Sequence, residues 1–361
     1  MNTQPIPFGV IGAGWRAEFF VRIAQALPEH FRLVGVAVRD PAKRAEFAGR
    51  TQAPTVADVD ALARLKPAFV VVSVPWEASP EVLCALVDRG LPALGETPPA
   101  PDHEALLALW ARLGPSAPVQ VAEQYPFQPT HAARIALVEA GLLGAVSQVQ
   151  VSAAHGYHGM VLLRRLLGIG FETARVRAMT FRSPVVGGPS RQGPPKEETT
   201  REAEQTLAWL EFDGGKLGVF DFTNVQYHTW VRSNRVLVRG ERGEISNLAV
   251  RRVEAFDTPL RGELQRWDTG QDGNLEGHAH RGITLGDRWL YRNPFPGARL
   301  HDDEIAVATC LERMRVFVET GQPFYGLAEA SQDHYLGLCI DQAAETGGIV
   351  TAAVQPWAAT P

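Results

Sequence analysis

Residues 12–17, Gly-Ala-Gly-Trp-Arg-Ala, carry the clearest chemical signal in the chain. They follow an apolar run (Phe8, Val10, Ile11) and lead into a segment with Phe19, Phe20, Ile23, Ala24 and Leu27 on one helical face. A strand, a glycine turn and a helix in that order can grip a dinucleotide. Gly12 permits the turn, and Gly14 lets the backbone approach a diphosphate with no Cβ in the way. Ala17, in place of a third glycine, keeps helix and strand close. Unpaired N–H groups and the positive end of the helix dipole complete an anion site, to which Trp15 and Arg16 belong by position.

A second signal concerns which dinucleotide. An acidic residue at the end of the second strand would accept ribose hydroxyls and select NAD, whereas a basic one would welcome the extra phosphate of NADP. Residues 34–45 read VGVAVRDPAKRA, with Val38 in the acidic place, Arg39 next and Asp40 after it. Arg39 can pair with a phosphate through charge-assisted hydrogen bonds, with Lys43 or Arg44 assisting. The expected cofactor is therefore NADP, with NAD the alternative. A surface arginine balanced by Asp40 is the competing reading.

Elements able to position these residues alternate regularly at first. A buried strand is expected over 32–38 and a charged helix over 41–50. An unbroken strand, AFVVVSVP (68–75), suits a parallel position covered on both faces. A helix at 79–89, a strand at 91–96, a helix at 101–113 and a strand at 118–124 complete a doubly wound α/β domain, placed at 1–122. After a helix over 128–143 the pattern changes to alternating strands at 145–154, 173–182, 206–212, 216–225, 235–240 and 244–253. Hairpin turns fall at Asp213-Gly214-Gly215 and 240–243. This predicts an α+β domain, 123–361, with an open, mostly antiparallel sheet. Residues 183–200 and 258–300 show no periodicity and read as loops near a site or plain surface. Two helices, 302–320 and 326–346, precede a short tail.

Bulk properties exclude several classes. The 361 residues are 45% apolar and 21% charged, with a net charge of −5 and no basic patch, so nucleic acid is not an expected partner. No apolar run has membrane length, and MNTQPIP is too short and polar for a secretory signal. Cys84, Cys310 and Cys339 are odd in number and far apart, which suits free thiols in a reducing cytoplasm. His278 and His280 have no carboxylate or cysteine at ligand spacing, so no metal is expected. Asp302 reads as a helix N-cap. Tyr227, His228 and Trp230 lie on or after a strand of the open sheet, where they suit a site or equally a subunit interface.

Taken together, GVIGAGWRA (9–17), VVVSVPWEAS (70–79), LPALGETPPA (91–100), FQPTHAARIALVEAGLLGAVSQV (127–149), GYHGMVLLRRLLG (156–168), FDGGKLGVF and VRGERGEIS resemble, in order and spacing, the Gfo/Idh/MocA dehydrogenases. The resemblance runs nearly end to end. It implies a Rossmann domain, NAD or NADP held against a C-terminal α/β domain, a small polar substrate such as a sugar, polyol or related carbonyl or imine, and a homodimer or homotetramer formed through the open sheet. It places Ser73, Pro75, Glu96, Pro98 and Gln124 beside the cofactor. Trp76 either covers the adenine or ribose or is an exposed edge aromatic. Glu123 falls, with Gln124, where the family often has an asparagine.

Hydride transfer at a carbinol carbon also requires a proton to move on or off oxygen. In the family the lysine of Glu-Lys-Pro does this, aided by an aspartate and a histidine. Here Glu96 and Pro98 keep their places while Thr97 stands for the lysine. His158 matches the histidine, and Ala154 and Val161 stand where many members have aspartates. Losing a positioned acid or base typically costs roughly 10²–10⁴ in rate. Two readings follow. Either His158, helped by His155 or Tyr157, moves the proton, since a histidine titrates in the right range, or the fold binds a nucleotide as a sensor or regulator without turnover.

Overall fold

The computed structural model describes residues 4–270 and 277–359. Its N-terminal half is built from β1 (Ile6–Ile11), α1 (Trp15–Ala26), β2 (Phe31–Ala37), α2 (Pro41–Thr51), β3 (Thr55–Val56), α3 (Val59–Ala63), β4 (Phe69–Val72), α4 (Ser79–Asp88), β5 (Ala93–Gly95), α5 (His103–Leu113) and β6 (Val119–Val121). These strands form one parallel sheet in the order β3-β2-β1-β4-β5-β6. All four residues of β4 are buried, as its β-branched run requires of a strand covered on both faces. The order reverses direction between β1 and β4, so a crevice opens at their carboxyl ends.

The second half contains α6 (Pro129–Glu139), β7 (Val146–Ser152), α7 (Gly156–Leu167), β8 (Ala174–Val186), β9 (Thr200–Phe212), β10 (Lys216–Thr223), β11 (Arg235–Gly240), β12 (Gly243–Ser246), β13 (Ala249–Val253), β14 (Pro259–Thr269), β15 (Ala279–Leu285), β16 (Arg288–Arg292), α8 (Asp302–Thr320), α9 (Leu327–Thr346) and β17 (Val350–Ala352). The strands form an open sheet of order β16-β15-β14-β13-β12-β11-β7-β10-β9-β8-β17, antiparallel except for β7 with β10. Hairpins at 213–215 and 240–243 fall where the glycines predict them.

Several expectations need correction. The strand expected over 244–253 is two strands, because Asn247 takes φ 57° and reverses the chain between Ser246 and Ala249. The supposedly irregular 258–300 holds β14, β15 and β16, whose charged outer positions masked their alternation. The first four residues of 183–200 extend β8 and Thr200 opens β9, while 187–199 stays irregular, and the tail adds β17 to the sheet edge. The cap of α8 is His301, not Asp302. The His301 side chain accepts from Glu304 N while Glu304 reaches back to the His301 N–H, and Asp302 instead pairs with Arg266.

Two packing features set the site. Helix α8 lies against α1, where Ile305, Leu311 and Met314 share a buried cluster with Phe20, Ile23 and Leu27, and this carries the start of α8 to the glycine turn. Helix α7 is buried along most of its length. Gly159 lets it sit tightly on β10, since a Cβ there would come 2.5 Å from the Phe220 ring. Buried Arg164, 3.0 Å from Asp333, ties α7 to α9, and the Tyr325 hydroxyl donates to the same carboxylate at 2.7 Å.

Candidate active site

Every polar group at the crevice comes from the carboxyl end of a parallel strand or from an element packed over it. Gly12 follows β1 with φ 117°, and a Cβ there would lie 1.9 Å from the Ser73 carbonyl oxygen after β4. Gly14 differs: it has ordinary extended backbone, and a Cβ would meet nothing within 4 Å. It is the N-cap of α1, which has no side-chain cap hydrogen bond. The first N–H groups of α1 thus face open space, and Ala17 behind them is fully buried. This leaves room and bare N–H donors for an anion of diphosphate size. Ser73 and Pro75 sit across from it, and Trp76 is 47% exposed with its ring 6.4 Å from that of Tyr157.

At the end of β2, Asp40 is occupied as the N-cap of α2, accepting from Ala42 N and Lys43 N. It therefore does not neutralise Arg39, which is exposed and has no side-chain partner among the described residues. Arg44 donates to the Val38 carbonyl at 3.2 Å.

Arg16 points inward. Its Nε lies 3.0 Å from Glu96 Oε1 and its Nη1 3.2 Å from Asp303 Oδ2, so it bridges the end of β5 to the first turn of α8. Two carboxylates hold this guanidinium charged despite its burial, while burial raises the Glu96 carboxyl against that pairing. Thr97 offers its carbonyl to the Tyr157 hydroxyl at 3.4 Å across a cis Thr97–Pro98 bond. Its own side chain also hydrogen-bonds with the Tyr157 hydroxyl. Gln124 is 7% exposed, and its buried amide oxygen has no hydrogen-bond partner among the described residues.

On the facing side, the first turn of α7 carries three aromatic side chains. His158 Nδ1 lies 2.6 Å from Oε2 of Glu123, whose side chain is completely buried and whose Oε1 accepts from Tyr125 N at 3.0 Å. Burial pushes the carboxyl up and the imidazole down. The dyad is therefore held close to electrically neutral, with one proton between its members. The rings of Tyr125, Tyr157 and His155 stand 4.5, 4.4 and 5.0 Å from that of His158.

His155 is fixed differently. The Tyr227 hydroxyl accepts from Tyr125 Oη at 2.8 Å and from the His155 N–H at 3.0 Å. Its own proton then goes to His155 Nδ1, 2.9 Å away. Burial and the neighbouring His158 lower the His155 pKa to about 3, so the ring is neutral with its proton on Nε2. Tyr227 therefore belongs to this cluster. Sequence reasoning passed over Tyr125 and Asp303 as site residues, left Tyr227 open between a site and a subunit interface, and gave Glu123 no role beyond its position. A carboxylate closing an apolar strand was the one available signal for Glu123; the others come together only through the sheet and α8. Among the described residues no group of three or more His, Cys, Asp or Glu could hold a metal ion, and no helix is long and apolar enough to cross a membrane.

Comparisons with known proteins agree with this architecture. Residues 6–119 match the sequence model of an oxidoreductase family with an NAD-binding Rossmann fold, Gfo/Idh/MocA. The chain is 26% identical to inositol 2-dehydrogenase 4 of Saccharopolyspora erythraea, over 77% of this chain and 89% of that protein. A levoglucosan dehydrogenase solved with NADH and levoglucosan superposes with a TM-score of 0.69 at 17% identity, covering 98% of this chain and 100% of the other. A myo-inositol dehydrogenase from Corynebacterium glutamicum gives 0.64 at 19% identity, covering 96% and 98%. An oxidoreductase from Agrobacterium radiobacter, solved with NAD+, L-tartaric acid and magnesium, gives 0.70 at 15% identity, covering 97% and 99%.

Proposed function

The chain belongs to the Gfo/Idh/MocA oxidoreductase family and carries its NAD-binding Rossmann domain, and from that premise we propose that it is a nicotinamide-dependent dehydrogenase acting on a small polar carbinol or its carbonyl or imine counterpart. The observation that carries the reading is the Glu123–His158 dyad, set across the crevice from an uncapped helix N-terminus. The residues fit the cofactor. The open space at Gly14 and the bare N–H groups of α1 suit a diphosphate, and the orphaned Gln124 oxygen suits a carboxamide N–H donor. When bound, the nicotinamide ring supplies the two-electron donor or acceptor.

The chain's own task is the proton. Glu123 fixes the ring of His158 through Nδ1 and leaves Nε2 facing the substrate: in the neutral dyad Nε2 carries a proton that it gives to a substrate oxyanion, and once deprotonated it takes one from a substrate hydroxyl. As Nε2 gives up its proton, the proton shared with Glu123 settles on Nδ1 and leaves a neutral imidazole beside a carboxylate; the reverse transfer restores the neutral dyad. Thr97 contributes no ammonium, so this dyad replaces rather than assists a lysine. NADP is favoured over NAD by the unpaired Arg39 and the commitment of Asp40 to α2. Exposed Met179, Phe181 and Trp209 on β8 and β9 form an apolar face suited to a second copy of the chain. The three cysteines are unpaired, which suits a reducing cytoplasm.

The test is His158→Gln, assayed for NADPH and NADH oxidation against polyol-derived carbonyls and imines. Turnover should fall by about 10² or more with nucleotide affinity nearly intact. Unchanged turnover removes the assignment, and a native chain that binds nucleotide but never transfers hydride is a sensor instead.

A further inference from the structure

Strands β8 and β9 pair without interruption from Ala174 opposite Phe212 to Val186 opposite Thr200, so the hairpin is a stiff arm reaching beyond the rest of the sheet. Its far end is anchored. Val185 and Ala203 bury themselves with Val225, and Gly188 fits so closely against the chain that a Cβ would lie 2.2 Å from the His228 carbonyl oxygen. The arm therefore rests on the same short segment, 225–229, that supplies Tyr227 to the site.

The tip of the arm is an ordered turn. Ser190 N donates to Gly193 O at 2.9 Å, Gly193 N returns the bond at 3.0 Å, and Gln192 N donates to Ser190 Oγ at 3.1 Å. Arg191 stands at the corner of this turn, and its guanidinium lies 4.0 Å from the centroid of the Trp15 ring. Trp15 is the first residue of α1, half-exposed directly after Gly14. A stacked guanidinium keeps its in-plane N–H donors available, and those of Arg191 meet no acceptor among the described residues. The glycine turn has an arginine of its own, but Arg16 is occupied by Glu96 and Asp303. A diphosphate at the α1 N-terminus would otherwise find dipoles and no free cation.

We propose that Arg191 is a dinucleotide-binding residue delivered from the other domain, a clamp for the diphosphate that uses Trp15 as its platform. It rests on the dinucleotide reading above, not on hydride transfer, and it gives 187–199 a binding role. The clamp also predicts that grip on the cofactor and the placement of Tyr227 are linked through 225–229.

The test uses calorimetric titration with ADP-ribose, which carries the diphosphate but no nicotinamide, alongside NADH. Arg191→Ala should raise both dissociation constants about tenfold or more, as loss of a hydrogen bond to a charged group implies, with the melting temperature of the free protein unchanged. Arg191→Lys should recover part of the loss, since it restores charge but not the planar stack. Trp15→Leu should weaken binding less in the Arg191→Ala background than in the native one. Unchanged dissociation constants in Arg191→Ala, or a native chain that binds no ADP-ribose, overturn the clamp. Arg191-dependent ADP-ribose binding in a chain that transfers no hydride supports the clamp and removes the dehydrogenase reading alone.

Discussion

Glu123 holds the His158 ring from behind, with 2.6 Å between Oε2 and Nδ1 and no solvent on the carboxylate. Glu123 lies two residues past β6 of one sheet and the helix that carries His158 packs on the other, so the contact joins the two halves of the chain at the crevice. Glu123→Gln should therefore lower turnover by about 10² or more and move the pH profile, while leaving the dissociation constant for NADH close to native. A variant with native kcat at every pH would show that the carboxylate has no part in the proton's path.

The two glycines of the turn should fail in different ways. Gly12→Ala places a methyl carbon 1.9 Å from the Ser73 carbonyl at φ 117°, so it should lower the melting temperature of the free protein and abolish nucleotide binding together. Gly14→Ala meets nothing and needs no unusual φ. Its melting temperature should match the native protein, and only nucleotide affinity should fall. Thermal melts beside calorimetric titrations separate the cases, and a destabilised but nucleotide-competent Gly14→Ala would contradict a diphosphate site there.

In the proposed reading, the choice of cofactor turns on Arg39. Arg39→Ala should weaken NADPH binding by about tenfold or more, the magnitude of a lost charge-assisted hydrogen bond, and leave NADH almost unaffected. Paired titrations measure the ratio. If the two affinities fall equally or stay fixed, the extra phosphate has another partner.

Acid should destabilise the fold through a histidine outside the reaction. His131 is buried, and its Nδ1 lies 3.1 Å from Nη1 of Arg134, which is a donor only. Burial, and then this cation, lower its pKa from 6.5 to about 3. Between those values the unfolded chain binds a proton that the folded one refuses. Its contribution is thus complete above about pH 6.5 and is lost as pH falls toward 3, at up to about 1.4 kcal/mol per pH unit. Urea midpoints at pH 7.5 and pH 5 should show the loss, and His131→Gln should shrink the difference. A variant with the native pH dependence would place the acid sensitivity elsewhere.

Much of this was legible along the chain. Periodicity and glycine placement determine the parallel sheet, the switch to antiparallel strands and the glycine turn, because each depends on residues a few positions apart: Gly12 on its own φ, β4 on its own apolar run, the 213–215 hairpin on its own glycines. The spacing of His158 from Gly168 marked a histidine that the fold seats beside Glu123. The tertiary structure alone decided what surrounds these residues. Arg16 lies in the cofactor turn, yet its charge is neutralised by Glu96 and Asp303, 80 and 287 residues away. Tyr227 could be read as a site or an interface residue until β10 and α7 brought its hydroxyl to His155, and Arg191 sat in a stretch with no periodicity at all. Local steric and propensity terms act through neighbouring backbone and can be read from sequence. Hydrogen bonds, ion pairs and desolvation act through space, and their partners exist only once the core has packed.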